Sequence, residues 1–262
     1  MSAIILRDEI IHYEVLGRGR PIIFLHDWVG SWRYWIPSMQ AASVSFRAYA
    51  LDLWGFGDSA KNPSYYSVEQ QLNLLEEFLA ELGIGKIALV GHGFGAILAM
   101  VYSLRRPASV DRILAISLPG AESALNSRLS SDSPAELADW LLGRTPVTEA
   151  ARVEAAKADP KAISLSMVSV QNIRLDGLPN RVSTPCLLVH GQSDPAVASL
   201  QPEQADGLPE HAHQVLFEAS GHYPMLDEPG KFNRLLSDFL SLQSGDSPRQ
   251  LQLKEEWKRR VR

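Results

Sequence analysis

Short apolar runs recur along this chain, separated by longer stretches in which apolar residues return every three or four positions. The short runs cover 10–16, 22–26, 47–52, 86–90, 112–118, 186–190 and 214–217. Runs of this length between helical patterns predict a largely parallel sheet covered on both faces. Two helices are signalled most clearly. Ser67 with Gln70 three residues later has the capping-box pattern. Val68, Leu72, Leu75, Leu79 and Leu82 follow at helical spacing, and Gly83 closes the helix. Pro229 stands where the first residue of a second helix belongs, and Phe232, Leu235, Leu236 and Phe239 supply its buried face.

Between about 120 and 180 the alternation stops. This stretch is richer in Ser, Ala and Asp, with an apolar point at Trp140-Leu141-Leu142, and predicts a small helical cap over the sheet. The expected organisation is a core formed by 1–119 and 181–242, a cap at 120–180, and a polar, then mixed-charge tail at 243–262. In the tail, Leu253, Trp257 and Val261 fall at i, i+4, i+8 among Lys and Arg residues. That pattern reads either as a frayed or self-docked surface helix, or as a contact for self-association or a partner.

The 262 residues are 45% hydrophobic and 21% charged, with a formal net charge of -5. This balance suits one large α/β domain and argues against a nucleic-acid partner, which requires a basic footprint. Cys186 is the one cysteine, so no intrachain disulfide can form, which fits a cytoplasmic location. Arg7, Asp8 and Glu9 interrupt any signal-peptide core, and no apolar stretch is long enough for a transmembrane helix.

Three local features carry the candidate chemistry. Gly91-His92-Gly93-Phe94-Gly95 lies between a predicted strand and a helix rich in small residues. Asp194 and His222 each follow a later strand. The order elbow, acid, histidine resembles that of the α/β-hydrolase superfamily, over roughly residues 10–242. Leu25-His26-Asp27-Trp28 resembles the family's oxyanion loop, and Asp52-Leu53-Trp54-Gly55-Phe56-Gly57-Asp58-Ser59 resembles its next loop. The resemblance implies an α/β-hydrolase fold, with a mostly parallel sheet of about eight strands, helices on both faces and a cap. It implies Asp194 orienting His222, and an oxyanion hole formed by the N–H groups of Phe94 and Trp28.

Two residues depart from the family pattern. Gly93 occupies the nucleophile position, where the family has Ser, or Asp in dehalogenases and epoxide hydrolases; Asp27 stands where the oxyanion loop usually has Gly. Glycine offers no attacking atom, so the covalent scheme cannot run. What is left is a small, largely apolar ligand to be bound, or slow hydrolysis by water that His222, held by Asp194, activates as a general base. A further reading makes Gly93 an engineered substitution in a serine esterase, or in an Asp-nucleophile epoxide hydrolase or dehalogenase. Asp27 is expected to turn away and brace its loop, since a carboxylate beside an oxyanion hole repels developing negative charge; otherwise it faces a polar or cationic ligand or acts as an altered acid/base group. Trp140, Met167 and Tyr223 are candidates for an apolar pocket wall. Ser117 is either a relocated nucleophile or, the favoured reading, a hydroxyl satisfied by nearby backbone. The histidines show no metal-ligand spacing and the glycines no G-x-G-x-x-G cradle, so neither metal nor dinucleotide cofactor is expected.

Overall fold

The computed structural model describes residues 2–253. Eight strands form one sheet: β1 (Ser2–Leu6), β2 (Glu9–Gly17), β3 (Arg20–Leu25), β4 (Phe46–Leu51), β5 (Ile87–His92), β6 (Val110–Ile116), β7 (Cys186–Gly191) and β8 (Ala212–Phe217). Their order is β1-β2-β4-β3-β5-β6-β7-β8. The β1–β2 and β2–β4 pairings are antiparallel and the rest parallel. Apolar runs with no polar alternation belong in the centre of such a sheet. Accordingly Ile22, Ile23, Phe24 and Leu25 of β3, and Leu89 and Val90 of β5, are completely buried.

The predicted runs correspond to β2 through β8; β1 was not expected. It is an edge strand joined to β2 by Arg7 and Asp8, both at positive φ, and it leaves Ile5 exposed, so its sequence shows no clean alternation.

The longer helices of the core are α1 (Ile36–Ala42), α2 (Val68–Glu81) and α3 (Phe94–Arg105). Ser67 caps α2 by accepting from the Gln70 N–H. The capping box is only half made, because the Gln70 side chain accepts from Arg7 of the β1–β2 turn instead. Helix α3 is buried from Phe94 to Ser103, which explains its largely apolar composition.

Five helices connect β6 to β7: α4 (Arg128–Ser131), α5 (Pro134–Leu141), α6 (Pro146–Ala155), α7 (Pro160–Val170) and α8 (Leu178–Arg181). Leu129, Leu137, Ala155, Ala162 and Ile163 form their buried side. Polar contacts fasten this segment to the loops below. Ser166 accepts from the Trp28 indole N–H at 2.9 Å, Asp159 accepts from the Tyr66 hydroxyl at 2.7 Å, and buried Glu154 pairs with Arg33 at 3.1 Å. The chain closes with α9 (Pro202–Asp206), α10 (Pro224–Asp227) and α11 (Pro229–Ser241), the last burying Phe232, Leu235, Leu236 and Phe239 as its spacing predicts. Among the described residues no helix is long and apolar enough to cross a membrane. Most of the amphipathic tail pattern, from Lys254 onward, lies outside the described residues.

Candidate active site

Parallel strands deliver the loops after their carboxyl ends to one rim of the sheet. Asp27 follows β3, Gly93 follows β5, Ser117 follows β6, Asp194 follows β7 and His222 follows β8. Five adjacent strands thus bring together residues far apart in sequence.

Gly93 sits at φ 49° and ψ -107°, between the last residue of β5 and the first of α3. An L side chain rarely adopts this conformation, and glycine reaches it with little strain. With Asp27 in this position, a side chain at 93 and the Asp27 carboxylate compete for one volume. A Cβ built on Gly93 would meet Asp27 Oδ1 at a distance no real Cβ contact shows. At the next glycine of the motif, a Cβ on Gly95 would run into the Leu25 and His26 backbone, so the elbow is pressed against the oxyanion loop.

Asp27 does not turn away, and this corrects the expectation that it braces its own loop. Its Oδ1 accepts from the Phe94 N–H at 2.8 Å, and its Oδ2 lies 3.0 Å from His222 Nε2. The carboxylate therefore occupies both the volume of an elbow side chain and one expected oxyanion-hole donor. On the other side of the ring, His222 Nδ1 lies 2.9 Å from Asp194 Oδ2 and 3.0 Å from Oδ1. All three side chains are at most 1% exposed.

This geometry ties the ring's proton count to the charge of its two neighbours. A neutral imidazole has one N–H and could satisfy only one flanking carboxylate. With both carboxyls ionised, the ring satisfies them only as the two-proton imidazolium. Burial lowers the His222 pKa, but the Asp194 charge, its hydrogen bond and those of Asp27 outweigh this and raise it to about 10. Burial likewise pushes both carboxyls up, and His222 more than offsets that, leaving Asp194 and Asp27 below the ordinary range. A charged imidazole has no lone pair with which to take a proton from water, so His222 is not a general base in this state.

The two carboxylates are supported unequally. Asp194 Oδ1 accepts from the backbone N–H groups of Ala196 and Val197, and Oδ2 accepts from the Ser117 hydroxyl at 2.7 Å. Ser117 is thus satisfied chiefly by a side-chain carboxylate, contrary to the expected backbone partner, and it helps fix Asp194. The Asp27 carboxylate has one backbone donor, the Phe94 N–H, and the His222 ring.

Two further histidines brace the loops. His92 Nε2 faces the His222 carbonyl at 2.8 Å, which assigns the proton to that nitrogen. Its Nδ1 then accepts from the Tyr34 hydroxyl at 3.1 Å, and Tyr34 in turn accepts from the Asp27 N–H. Burial and the nearby His222 charge lower the His92 pKa to about 3, so the ring is neutral. His26 Nδ1 donates to the Asp27 carbonyl, and Nε2 accepts from Leu53 N–H. Tyr34 was not singled out from sequence for this role; it is one aromatic among several, and nothing local marks it.

Trp28 is completely buried and stacks on Phe94, with ring centroids 5.2 Å apart. Tyr223 packs edge-on against His222 and Tyr34, with its hydroxyl donating to the Val29 carbonyl. Trp140 and Met167 lie on α5 and α7, partly buried, and the Trp140 ring faces the Arg128 guanidinium at 4.5 Å. Asp27, His92 and His222 could in principle share a cation, their ligand atoms lying within 4.8 Å of one another. The hydrogen bonds above already commit those atoms to protons.

A family model described as the alpha/beta hydrolase family matches residues 22–235. The chain belongs to that family. A relative from Stutzerimonas stutzeri named "Putative carbamate hydrolase RutD" is 26% identical over 261 residues, covering 90% of this chain and 98% of its own. A hydrolase from Pseudomonas aeruginosa superposes with a TM-score of 0.81 at 19% identity, over 92% of this chain and 98% of its own. A lactonase mutant, the N-acyl homoserine lactonase AidH with serine replaced by glycine and bound to N-hexanoyl homoserine lactone, superposes at 0.78 with 19% identity, covering 91% and 96%. At these identities the structural likenesses speak to the fold alone.

Proposed function

We propose that this chain is a hydrolase homologue of the ester and lactone lineage that has given up the elbow nucleophile and binds a small, largely apolar ligand at the rim, beneath residues 120–180 acting as a cap. The observation that carries this reading is the fit between Gly93 and Asp27. The Asp27 carboxylate fills the nucleophile volume and holds the Phe94 N–H, so a substrate carbonyl finds neither an attacking oxygen nor that free donor. Slow hydrolysis through His222 as a base is disfavoured while Asp27 keeps the ring charged.

The name of the carbamate hydrolase relative supports a hydrolase lineage. The stacked Trp28 and Phe94 rings are the apolar surface at the rim, and the Trp28 indole N–H ties them to Ser166 of the segment above. Cys186, buried and unpaired, fits a cytoplasmic setting.

The test is hydrolysis of short-chain aryl esters by the wild-type protein beside His222→Ala. The proposal expects no turnover above background in either. Ester turnover that vanishes with His222 would refute it.

A further inference from the structure

We propose that the amino end of the parallel strands carries a second site: a pocket built by Arg18 and Arg47 around the β2–β3 turn, which takes the phosphate group of a small soluble phosphomonoester. It lies away from the rim and does not depend on the reading of Gly93 and Asp27.

The pocket is a cavity of about 410 Å³ lined by Val15, Gly17, Arg18, Gly19 and Arg47. Strands β3 and β4 begin beside it, at Arg20 and Phe46, and lead to the rim at their other ends. The six residues of β3 span roughly 17 Å, at about 3.3 Å per step, so the two sites are well separated.

The turn creates the hollow. In the β2–β4 register Gly17 lies opposite Arg47, and Val15 opposite Tyr49. Gly17 has φ 78° and Gly19 φ 107°, backbone that favours glycine. A Cβ on Gly17 would collide with the Phe46 and Ser43 carbonyl oxygens, and one on Gly19 would meet the Ser45 carbonyl oxygen at 2.8 Å. The turn is therefore pressed onto residues 43–46 and sets no side chain beside Arg47. The space left has backbone on one side, Val15 as an apolar wall, and two guanidinium groups.

The second observation is charge. Exposed arginines elsewhere are neutralised: Arg7 pairs with Glu77, Arg105 with Glu69 and Arg106 with Glu76. Among the described residues Arg18, Arg47 and the adjacent Arg20 have no carboxylate partner. Three such cations on one turn and its facing strand make a local positive field in a chain of net charge -5. Aromatic rings, not acids, steady two of them: Arg47 lies over Tyr49 at 5.3 Å and Arg20 over Phe46 at 5.1 Å. A ring face holds a guanidinium without neutralising it. The planar fork of donors that remains matches phosphate oxygens, and two forks suit a dianion better than a single carboxylate charge. The cavity is of small-molecule size and has an apolar wall, so the phosphate is carried on a small organic body.

The experiment titrates the wild-type protein with phenyl phosphate and with inorganic phosphate, at an ionic strength held constant with sodium chloride. Amide NMR shifts of Gly17, Arg18 and Gly19 report binding. Phenyl phosphate should give saturable shifts there, and inorganic phosphate should bind more weakly. Arg18→Gln and Arg47→Gln should each weaken phenyl phosphate binding about tenfold or more, with the spectrum elsewhere unchanged. No saturable shift, equal affinity for the two probes, or undiminished affinity in both variants overturns the proposal. So does binding to phosphatidic acid vesicles without binding of the soluble probes, which would make this face a membrane contact. None of these outcomes involves ester turnover or His222, so the elbow reading stands or falls separately.

Discussion

Asp27 and Asp194 flank the same imidazole ring, yet their surroundings differ sharply. Asp194 is gripped by two backbone N–H groups and the Ser117 hydroxyl in addition to His222. Asp27 is held by one backbone N–H and His222. A carboxylate with several fixed donors keeps its charge and position whatever the ring does, and such a group orients its partner. One with a single fixed donor depends on the ring's second proton and keeps lone pairs free. The difference leaves Asp194 fixed by its loop and Asp27 dependent on the ring between them.

The strongest way to break this comparison is to remove what both carboxylates share. His222→Gln leaves two buried carboxylates without their cation, and about 3–5 kcal/mol of stability should be lost in urea unfolding. Adding Asp27→Asn should recover a large part of that loss, whereas Asp194→Asn should recover less because its other donors then lack a charged acceptor. Equal recovery would erase the asymmetry.

Restoring the family's chemistry sharpens the point. Gly93→Ser alone should gain no ester hydrolysis, since its side chain meets Asp27. Combined with Asp27→Gly it should gain about 100-fold or more over the single variant, because both an attacking oxygen and the Phe94 donor become available. Activity in the single variant would show that Asp27 yields its place easily.

Alkaline pH should weaken the molecule in a defined window. His222 has a folded pKa raised from 6.5 to about 10. Its stabilising contribution is therefore complete below 6.5 and is lost as pH rises towards 10. In Asp27→Asn the window should narrow from its upper end, read by denaturation midpoints across pH.

Smaller effects are expected at the supports. Ser117→Ala removes one of several Asp194 donors and should cost about 1 kcal/mol. Ser166→Ala leaves the Trp28 indole N–H unpaired and should cost a similar amount, while speeding hydrogen exchange in the segment above the rim.

The fold and the address of the site could be read from sequence because strand-end loops carry Gly93, Asp194 and His222 in order. These are local signals, each next to the strand that positions it. The direction of the Asp27 side chain could not, because it follows from a non-local fit: glycine at 93 opens a volume that a loop from another strand fills. A general rule about carboxylates near oxyanion holes pointed the wrong way, since it took the hole to be free for substrate. The role of Ser117 was hidden for a similar reason. Its partner, Asp194, comes from the neighbouring strand's loop, and only the parallel pairing of β6 with β7 brings them together.

The most direct test of the account is the protonation of His222, observed by nitrogen NMR of the labelled imidazole at about pH 8, where an ordinary histidine is neutral. The account predicts both ring nitrogens protonated in the wild type, and Nε2 deprotonated in Asp27→Asn. A wild-type ring that carries only its Nδ1 proton at that pH would contradict it, because Asp27 would then not hold the second proton.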